Sequence, residues 1–156
     1  MKKMFLLLLM NLIVSSMSAQ STVHVFAHSL SNVEVKMMKN GEYVFDMRGE
    51  LRKTLKPTSS VKYPLYTYSP AYRKCTFKED GKVLLSIDVE HTNCTTGDVT
   101  HYADEIQLNL SPGSTHYVYL TNKGLFNLQL KEITEKEANK LLKDKKMVVL
   151  DEYVEP

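Results

Sequence analysis

The hydrophobic pattern of this 156-residue chain is mostly that of β-strands. Apolar and polar residues alternate with a period of two in several short stretches, as expected for strands that bury one face. Residues that favour turns separate the stretches. The pattern therefore predicts a mostly β domain of antiparallel strands.

Two dipeptides predict tight hairpins within this pattern. Asn40-Gly41 and Asp80-Gly81 each lie between two alternating stretches, and both dipeptides tolerate the positive φ angles that a two-residue hairpin turn needs. The stretches that they join are Val33–Met37 with Tyr43–Phe45, and Arg73–Phe77 with Val83–Val89.

The second half of the chain predicts a three-stranded meander. Its alternating stretches are Ile106–Leu110, His116–Leu120 and Phe126–Leu130, joined by short turns. The segment between the two hairpins differs, because Leu55–Tyr72 contains three prolines. Since proline removes a ladder donor, we interpret this segment as an irregular connection with room for one short edge strand.

One helix is predicted near the end of the chain. Thr134-Glu135-Lys136-Glu137 is a capping box, and Ile133 can pack on Ala138 as a hydrophobic staple. The helix should run from Glu135 to about Lys143. Many short strands with one late helix predict a β-sandwich or a small open barrel.

The first nineteen residues, Met1 to Ala19, have the pattern of an export signal. Two lysines precede a short apolar run, which ends in small residues. A retained membrane helix is a weaker interpretation, because Asn11 interrupts the run and it is shorter than the ~20 residues that a membrane span needs. The sequence thus predicts a mature protein that begins at Gln20, does not span a membrane, and is periplasmic or secreted.

The rest of the chain is predicted to form one domain. Residues 20–150 make up the β-domain, with Met147–Leu150 as its last strand, and Asp151–Pro156 is predicted to be a frayed acidic tail. Without the two lysines of the signal, 18 basic residues balance 18 acidic ones. This balance argues against a nucleic-acid partner, which would need a basic excess or stripe.

The two cysteines raise the question of a disulfide. Cys75 and Cys94 both follow the predicted signal, and an oxidising compartment favours their pairing. Closing such a loop stabilises a fold by about 3 kcal/mol in the chain-entropy account. The alternative is two separate buried thiols. No Cys/His cluster accompanies the pair, so we predict no metal site there and no cofactor.

Several segments resemble one known family. They are His24–Ala27, the hairpin Val33–Phe45, Leu108–Tyr119 and the strand Leu128–Leu130 with the Glu-rich helix start that follows it. In these segments the chain is similar to a family of small exported bacterial β-domains that is known only as a domain of unknown function. The resemblance implies an immunoglobulin-like antiparallel β-sandwich and brings no activity or site residues with it. Residues 51–100 depart from the pattern.

Candidate catalytic chemistry is sparse. No G-x-S-x-G motif is present. Two histidines, His24 and His28, share one face of the first strand, and His101 and His116 lie on later strands. Their spacing is not diagnostic of a metal site. A small metal-dependent hydrolase that uses His24, His28 and His116 is therefore kept only as an alternative.

The unusual local composition lies in a segment of tyrosines and prolines. Its tyrosines are Tyr63, Tyr66, Tyr68 and Tyr72. Tyrosine rings suit a protein interface or a sugar ring, but the simpler interpretation, which we favour, is that they cover the edge of the sandwich. We predict a non-enzymatic binding or structural module of the bacterial cell envelope, which binds a protein or an envelope component through its loops and the Tyr63–Tyr72 segment. A glycan-binding module that uses these tyrosines is a second alternative, and the oligomeric state stays open.

Overall fold

The computed structural model describes residues 19–27, 33–48, 51–55, 65–92, 96–122, 128–144 and 147–156. In chain order the strands are β1 Ser21–Ala27, β2 Glu34–Lys39, β3 Glu42–Arg48, β4 Leu51–Leu55, β5 Leu65–Tyr68, β6 Ala71–Phe77, β7 Gly81–Thr92, β8 Val99–Leu110, β9 Thr115–Asn122, β10 Leu128–Glu132, β11 Val148–Val149 and β12 Tyr153–Val154. One helix, α1, covers Glu135–Asp144. The prediction of a mostly β domain with one late helix is confirmed.

Most of the strands form two sheets. Sheet A has the order β10-β9-β1-β6-β11, and β12 pairs with β6 on the same sheet. Its central strand, β1, is antiparallel to β6 and parallel to β9. The prediction of purely antiparallel strands is therefore wrong for sheet A, which is mixed. Sheet B has the order β3-β2-β7-β8, and all of its pairs are antiparallel. The strands β4 and β5 form a separate two-stranded ribbon.

The two sheets bury their alternating apolar residues in one cluster. On β1 the inward residues Val23, Val25 and Ala27 are almost fully buried. Side chains from β2, β3, β6, β7, β8, β9 and β10 join them in the same cluster. Burial of apolar surface contributes about 25 cal/mol per Å². This shared core is therefore the main stabilising contact between the sheets.

The first predicted hairpin is confirmed. The strands β2 and β3 pair through Lys39 and Glu42, and Asn40 and Gly41 have φ angles of 51° and 87°. These positive values explain why Asn-Gly occupies the turn.

The second predicted hairpin is wrong, because β6 and β7 belong to different sheets. The strand β7 pairs with β2 on one side and β8 on the other, so neither of its edges is open to β6. The Asn40 carboxamide accepts a hydrogen bond from the Lys82 amide at 2.9 Å. The Asp80-Gly81 turn therefore carries the chain from one sheet to the other.

The predicted meander is correct only in its second half. The strands β9 and β10 pair antiparallel as expected, but β8 lies in sheet B and β9 in sheet A. The turn between them is anchored on the start of β1, where the Ser21 hydroxyl donates to the Ser111 carbonyl at 2.7 Å and the Thr22 amide to the Ser114 carbonyl at 2.8 Å. These bonds fix residues 111–114 as the connection from sheet B to sheet A.

The helix follows its sequence signals. The Thr134 amide donates to the Glu137 carboxylate at 2.8 Å, and the Glu137 amide donates to the Thr134 hydroxyl at 3.3 Å. This reciprocal pair is the predicted capping box. Ile133 and Ala138 are buried together with Phe26, so α1 covers the outer face of sheet A.

The C-terminal segment is ordered, contrary to the predicted frayed tail. The predicted last strand is present as β11, and both β11 and β12 add to the free edge of β6 in parallel. The Tyr153 ring packs between Phe45 and Phe77, with ring centroids 6.2 and 5.7 Å away. The strand β12 was not predicted, because two residues are too few for a sequence pattern to reveal a strand.

An ion pair holds the end of this segment. The Glu155 carboxylate lies 2.5 Å from the Lys39 ammonium and accepts hydrogen bonds from the Lys78 and Glu79 amides at 2.8 and 3.2 Å. Burial opposes ionisation of Glu155, but these donors outweigh it and lower the pKa of the carboxyl below its ordinary value. Lys39 is only 7% exposed, so it depends on this anion.

Other predictions fall on residues that the structure does not describe. Of the proline-containing segment Leu55–Tyr72, β5 and the start of β6 are regular, and residues 56–64 lie outside the described ranges. Most of the predicted export signal lies outside them too, so that interpretation stays a prediction. Within the described ranges, no helix has both the length and the apolar character needed to cross a membrane.

Replacing Glu155 by Gln should lower the free energy of unfolding by about 2 kcal/mol, because Lys39 would keep its buried charge without a counter-ion. Urea unfolding at neutral pH measures this. Since the pKa of Glu155 is lowered in the folded state, its contribution is present above the ordinary value of 4.5 and is lost as the pH falls below it. The control is Glu152→Gln, whose carboxylate is 44% exposed and should matter little. Equal midpoints for Glu155→Gln and the unchanged protein would contradict the assigned role of the ion pair.

Candidate functional site

The structure separates the tyrosines that the sequence groups together. Tyr72 lies in β6 of sheet A, whereas Tyr66 and Tyr68 lie in β5 of the separate ribbon. Tyr63 is outside the described residues. The proposed grouping of all four tyrosines as a binding surface therefore stays a prediction, and only the surroundings of Tyr72 can be described.

Tyr72 belongs to an aromatic stack on the outer face of sheet A. The His24 ring lies between Tyr72 and Tyr117, at centroid distances of 5.9 and 4.7 Å and interplanar angles of 16° and 17°. The Tyr72 hydroxyl and His24 Nδ1 share a hydrogen bond of 2.7 Å. Because the rings turn their faces toward one another, they do not form the flat platform on which a sugar ring stacks.

Charged groups surround this stack. Lys74 and Glu152 form an ion pair of 2.8 Å, and the Thr76 hydroxyl donates to Glu152 at 2.9 Å. Burial, followed by the nearby Lys74 ammonium, lowers the pKa of His24 below its ordinary value of 6.5. Burial, followed by the Glu152 carboxylate, raises the pKa of Tyr72. A neutral imidazole therefore suits this position. The polar groups in and around the stack find hydrogen-bond and ion-pair partners within the chain.

The histidines named as a possible metal or catalytic site are not brought together. His24 lies on the outer face of sheet A, while His116 pairs with the inward residue Val23 and lies on the inner face. His116 Nδ1 is 2.7 Å from the Glu132 carboxylate. His101 lies exposed in β8, 3.9 Å from Glu90. His28 is outside the described residues.

No metal centre is assembled in the described part of the chain. There, no group of three or more His, Cys, Asp or Glu side chains has the arrangement needed to hold a metal ion.

The predicted disulfide is not formed among the described residues. Cys75 is a free thiol that is fully buried in the core, and Cys94 is outside the described residues, so their pairing stays a prediction. Burial raises the pKa of the Cys75 thiol to about 12. Because the thiolate is the reactive form, Cys75 is chemically inert in the folded protein.

A long hairpin is the feature that sequence reasoning missed. Its strands β7 and β8 pair from Gly81 with Leu110 to Thr92 with Val99, although the sequence indicated only their ends nearest the core. Since β2 reaches no further than Ile87 of β7, the last five pairs of the hairpin project beyond sheet B. The β-favouring residues Val89, Val99, Thr100 and Tyr102 were the available signal.

The outer strand of this hairpin lies at the edge of sheet B. Most of its residues from Val99 to Glu105 are exposed. The nearest edge strand of sheet A is β10, which contacts β8. There the Asp104 carboxylate of β8 accepts a hydrogen bond from the Leu130 amide of β10 at 2.7 Å, so this bond joins the two edge strands.

The hairpin is also acidic. Residues 81–110 contain five acidic residues and one lysine, a formal charge of −4 in a chain whose total is +2. Its outer face carries Asp88 and Glu90 on β7 and Glu105 on β8, all exposed. The projecting part of the molecule therefore combines exposed side chains with negative charge.

A second surface feature is a cleft of about 270 Å³ between the turn after β2 and the C-terminal segment. Tyr43 and Tyr153 line it, together with Lys39 and Glu155. The last two already form the ion pair described above. The charges at its base are thus satisfied within the chain, and we place the candidate site on the hairpin instead.

Comparisons of the chain with protein-family models, with curated proteins and with solved structures found no match. The resemblance to an exported bacterial family of unknown function therefore stays a prediction. The candidate site rests on the geometry and charge of the hairpin.

His24 should make the stability of the protein depend on pH. Because its pKa is lowered in the folded state, the unfolded chain binds a proton more readily, and stability should fall as the pH drops from about 7.5 to about 5.5. Urea unfolding at several pH values measures this slope. The slope should be smaller in His24→Gln and unchanged in the control His101→Gln, whose side chain is exposed. Equal slopes in all three proteins would show that His24 is not desolvated.

Cys75 should resist a thiol reagent in the folded protein at about pH 8 and react once the chain is unfolded in denaturant, because only the thiolate attacks. Absorbance of the released chromophore, without added reductant, measures both states. Absence of any reactive thiol after unfolding would instead demonstrate the predicted disulfide between Cys75 and Cys94. Rapid reaction in the folded state would contradict the burial of Cys75.

Proposed function

We propose that this chain is a non-enzymatic, protein-binding module of the bacterial cell envelope, built as an immunoglobulin-like β-sandwich. The observation that carries the proposal is the projecting hairpin β7–β8. It presents exposed side chains and a net negative charge at the same place.

Two observations support a sandwich. The sheets share one apolar core, and the chain crosses from one sheet to the other at the turns before β7 and before β9. Crossings of this kind are typical of sandwiches, in which successive strands alternate between sheets. In sheet A the first strand of the domain, β1, pairs in parallel with β9.

Export is supported by the sequence. The two lysines, the short apolar run and the small residues before Gln20 match a signal that is removed on export. After its removal the domain begins directly before β1. A module of this kind would act in the periplasm or outside the cell.

Protein binding is favoured over the two alternatives by specific geometry. A glycan platform needs exposed, coplanar rings, whereas the Tyr72 ring turns toward His24 and bonds to it. A hydrolase built on His24 and His116 needs them on one side of the sheet, and they lie on opposite sides. An exposed, charged hairpin, by contrast, offers a surface that a protein of complementary charge can recognise.

A photoreactive amino acid at Ala103, an exposed position of the projecting hairpin, should form a covalent adduct with a protein partner in the intact envelope of the producing cell. The adduct should disappear when an excess of the unmodified protein is added, because the partner is then occupied. Gel shifts and mass spectrometry identify the adduct.

The matched control places the same amino acid at Lys136, which is exposed on α1 and lies outside the hairpin. At this position we expect no adduct that disappears when an excess of the unmodified protein is added. An adduct at Lys136 but not at Ala103 would overturn the hairpin as the binding surface. Specific binding of a glycan that Tyr72→Ala abolishes would favour the glycan alternative.

A further inference from the structure

We propose that the edge of β6, together with the pocket around Lys39, is a groove that can bind the C-terminal segment, Val148–Pro156, of a second copy of this chain in place of its own. The two copies would exchange these segments reciprocally, so that Glu155 of each copy completes the charged pocket of the other. The inference goes beyond the proposed function and does not rest on the hairpin β7–β8.

A buried cation makes the groove specific for an acidic residue. The Lys39 ammonium donates to the Glu79 carbonyl at 3.1 Å and forms the ion pair with Glu155. The amides of Lys78 and Glu79 donate to the same carboxylate. Without that carboxylate, Lys39 would keep a buried charge with no counter-ion, which is costly. Release of one segment therefore favours binding of another segment that carries an acid at the same position.

Backbone and aromatic contacts specify the rest of the segment. The strands β11 and β12 pair in parallel with β6, and the Arg73 guanidinium donates to the Asp151 carbonyl at 2.8 Å. The Tyr153 ring packs between Phe45 and Phe77. The groove thus fits an extended segment that has a tyrosine two residues before an acid. A second copy of this chain carries that segment, and we therefore choose it as the partner.

The contacts of the segment can be made between copies as well as within one. At its start the Val148 amide donates to the Pro70 carbonyl at 2.8 Å, and near its end the Glu155 amide donates to the Thr76 carbonyl at 2.9 Å. Met147, just before the segment, packs in the cluster under α1, so exchange can begin after it. Each of the two ladders is only two residues long. Swapping an identical element keeps every such contact and is a low-cost route to a dimer.

The test traps exchanged segments with a disulfide between two copies. Thr76 and Val154 are register partners, and neighbouring strands lie about 4.8 Å apart, a spacing that a disulfide can bridge. One copy carries Thr76→Cys and the other Val154→Cys, both with Cys94→Ser. The two are unfolded together in urea, refolded as a mixture and oxidised. Mass spectrometry of isotopically distinct copies maps the bond.

We expect a covalent dimer that is joined through positions 76 and 154. Val154→Cys mixed with Lys136→Cys, whose position is exposed on α1, measures bonds formed by random collision and should give a lower yield. Adding Glu155→Lys to the Val154→Cys copy should lower the yield of the 76–154 bond about tenfold, because Lys39 repels a cation. Asp151→Lys, the same charge change at an exposed position of the segment, should leave the yield unchanged.

A protein that carries both Thr76→Cys and Val154→Cys reports pairing within one copy. If it forms the internal bond while the mixture gives no 76–154 dimer above the collision level, the segment stays in its own groove and the inference is wrong. If neither bond forms, NMR of the unchanged protein decides. In labelled and unlabelled copies refolded together, isotope-filtered contacts between Tyr153 of one copy and Phe77 of the other would support exchange, and their absence would overturn it.

Discussion

The structure depends on the pairing of β1 with strands that lie far from it in the sequence. This strand is antiparallel to β6 on one side and parallel to β9 on the other, so it joins the two halves of the chain in one sheet. Its inward residues are buried in the core shared with sheet B, and its outward Phe26 is buried under α1. Both faces of β1 are therefore apolar where the molecule is thickest, as expected for a central strand covered on both sides.

The two sheets differ in how far their outer faces are covered by other parts of the chain. The helix, the His24 stack and the Lys74–Glu152 pair occupy the outer face of sheet A and satisfy one another. Sheet B has no helix over it among the described residues, and its hairpin β7–β8 is longer than the neighbouring strands. The division of the molecule into a covered sheet and an exposed hairpin follows from this difference in cover.

Local signals in the sequence predicted local structure well. The Asn40-Gly41 turn and the capping box at Thr134 each depend on a few adjacent residues, and both were correct. The wrong predictions concern which strands pair with each other. Asp80-Gly81 has the chemistry of a hairpin turn, yet it connects two sheets, because both edges of β7 are taken by β2 and β8. A local sequence pattern does not indicate which strand edges already have a partner in the folded sheet.

The candidate site was predictable only in part, for a related reason. Period-two alternation identified β1, and hence His24 as an outward residue, but the stacking partner Tyr117 is supplied by a register that only the folded sheet defines. The projecting part of the hairpin lacks a strongly apolar row, so it resembled a polar loop. The tyrosines were conspicuous in composition, but the structure places Tyr72 apart from Tyr66 and Tyr68.

The parallel addition of β11 and β12 to β6 has a consequence for the order of folding. The edge of β6 is made early in synthesis, but Lys39 meets Glu155 across 116 positions of sequence, and the strands that cover β6 follow it by more than 70 residues. Contacts so distant in sequence form slowly, because a long loop must close first. A chain that emerges with its N-terminus first, as in synthesis, would thus expose the β6 edge until its last strands arrive. Aggregation during that interval, more than the stability of the finished domain, is the hazard that this topology has to survive.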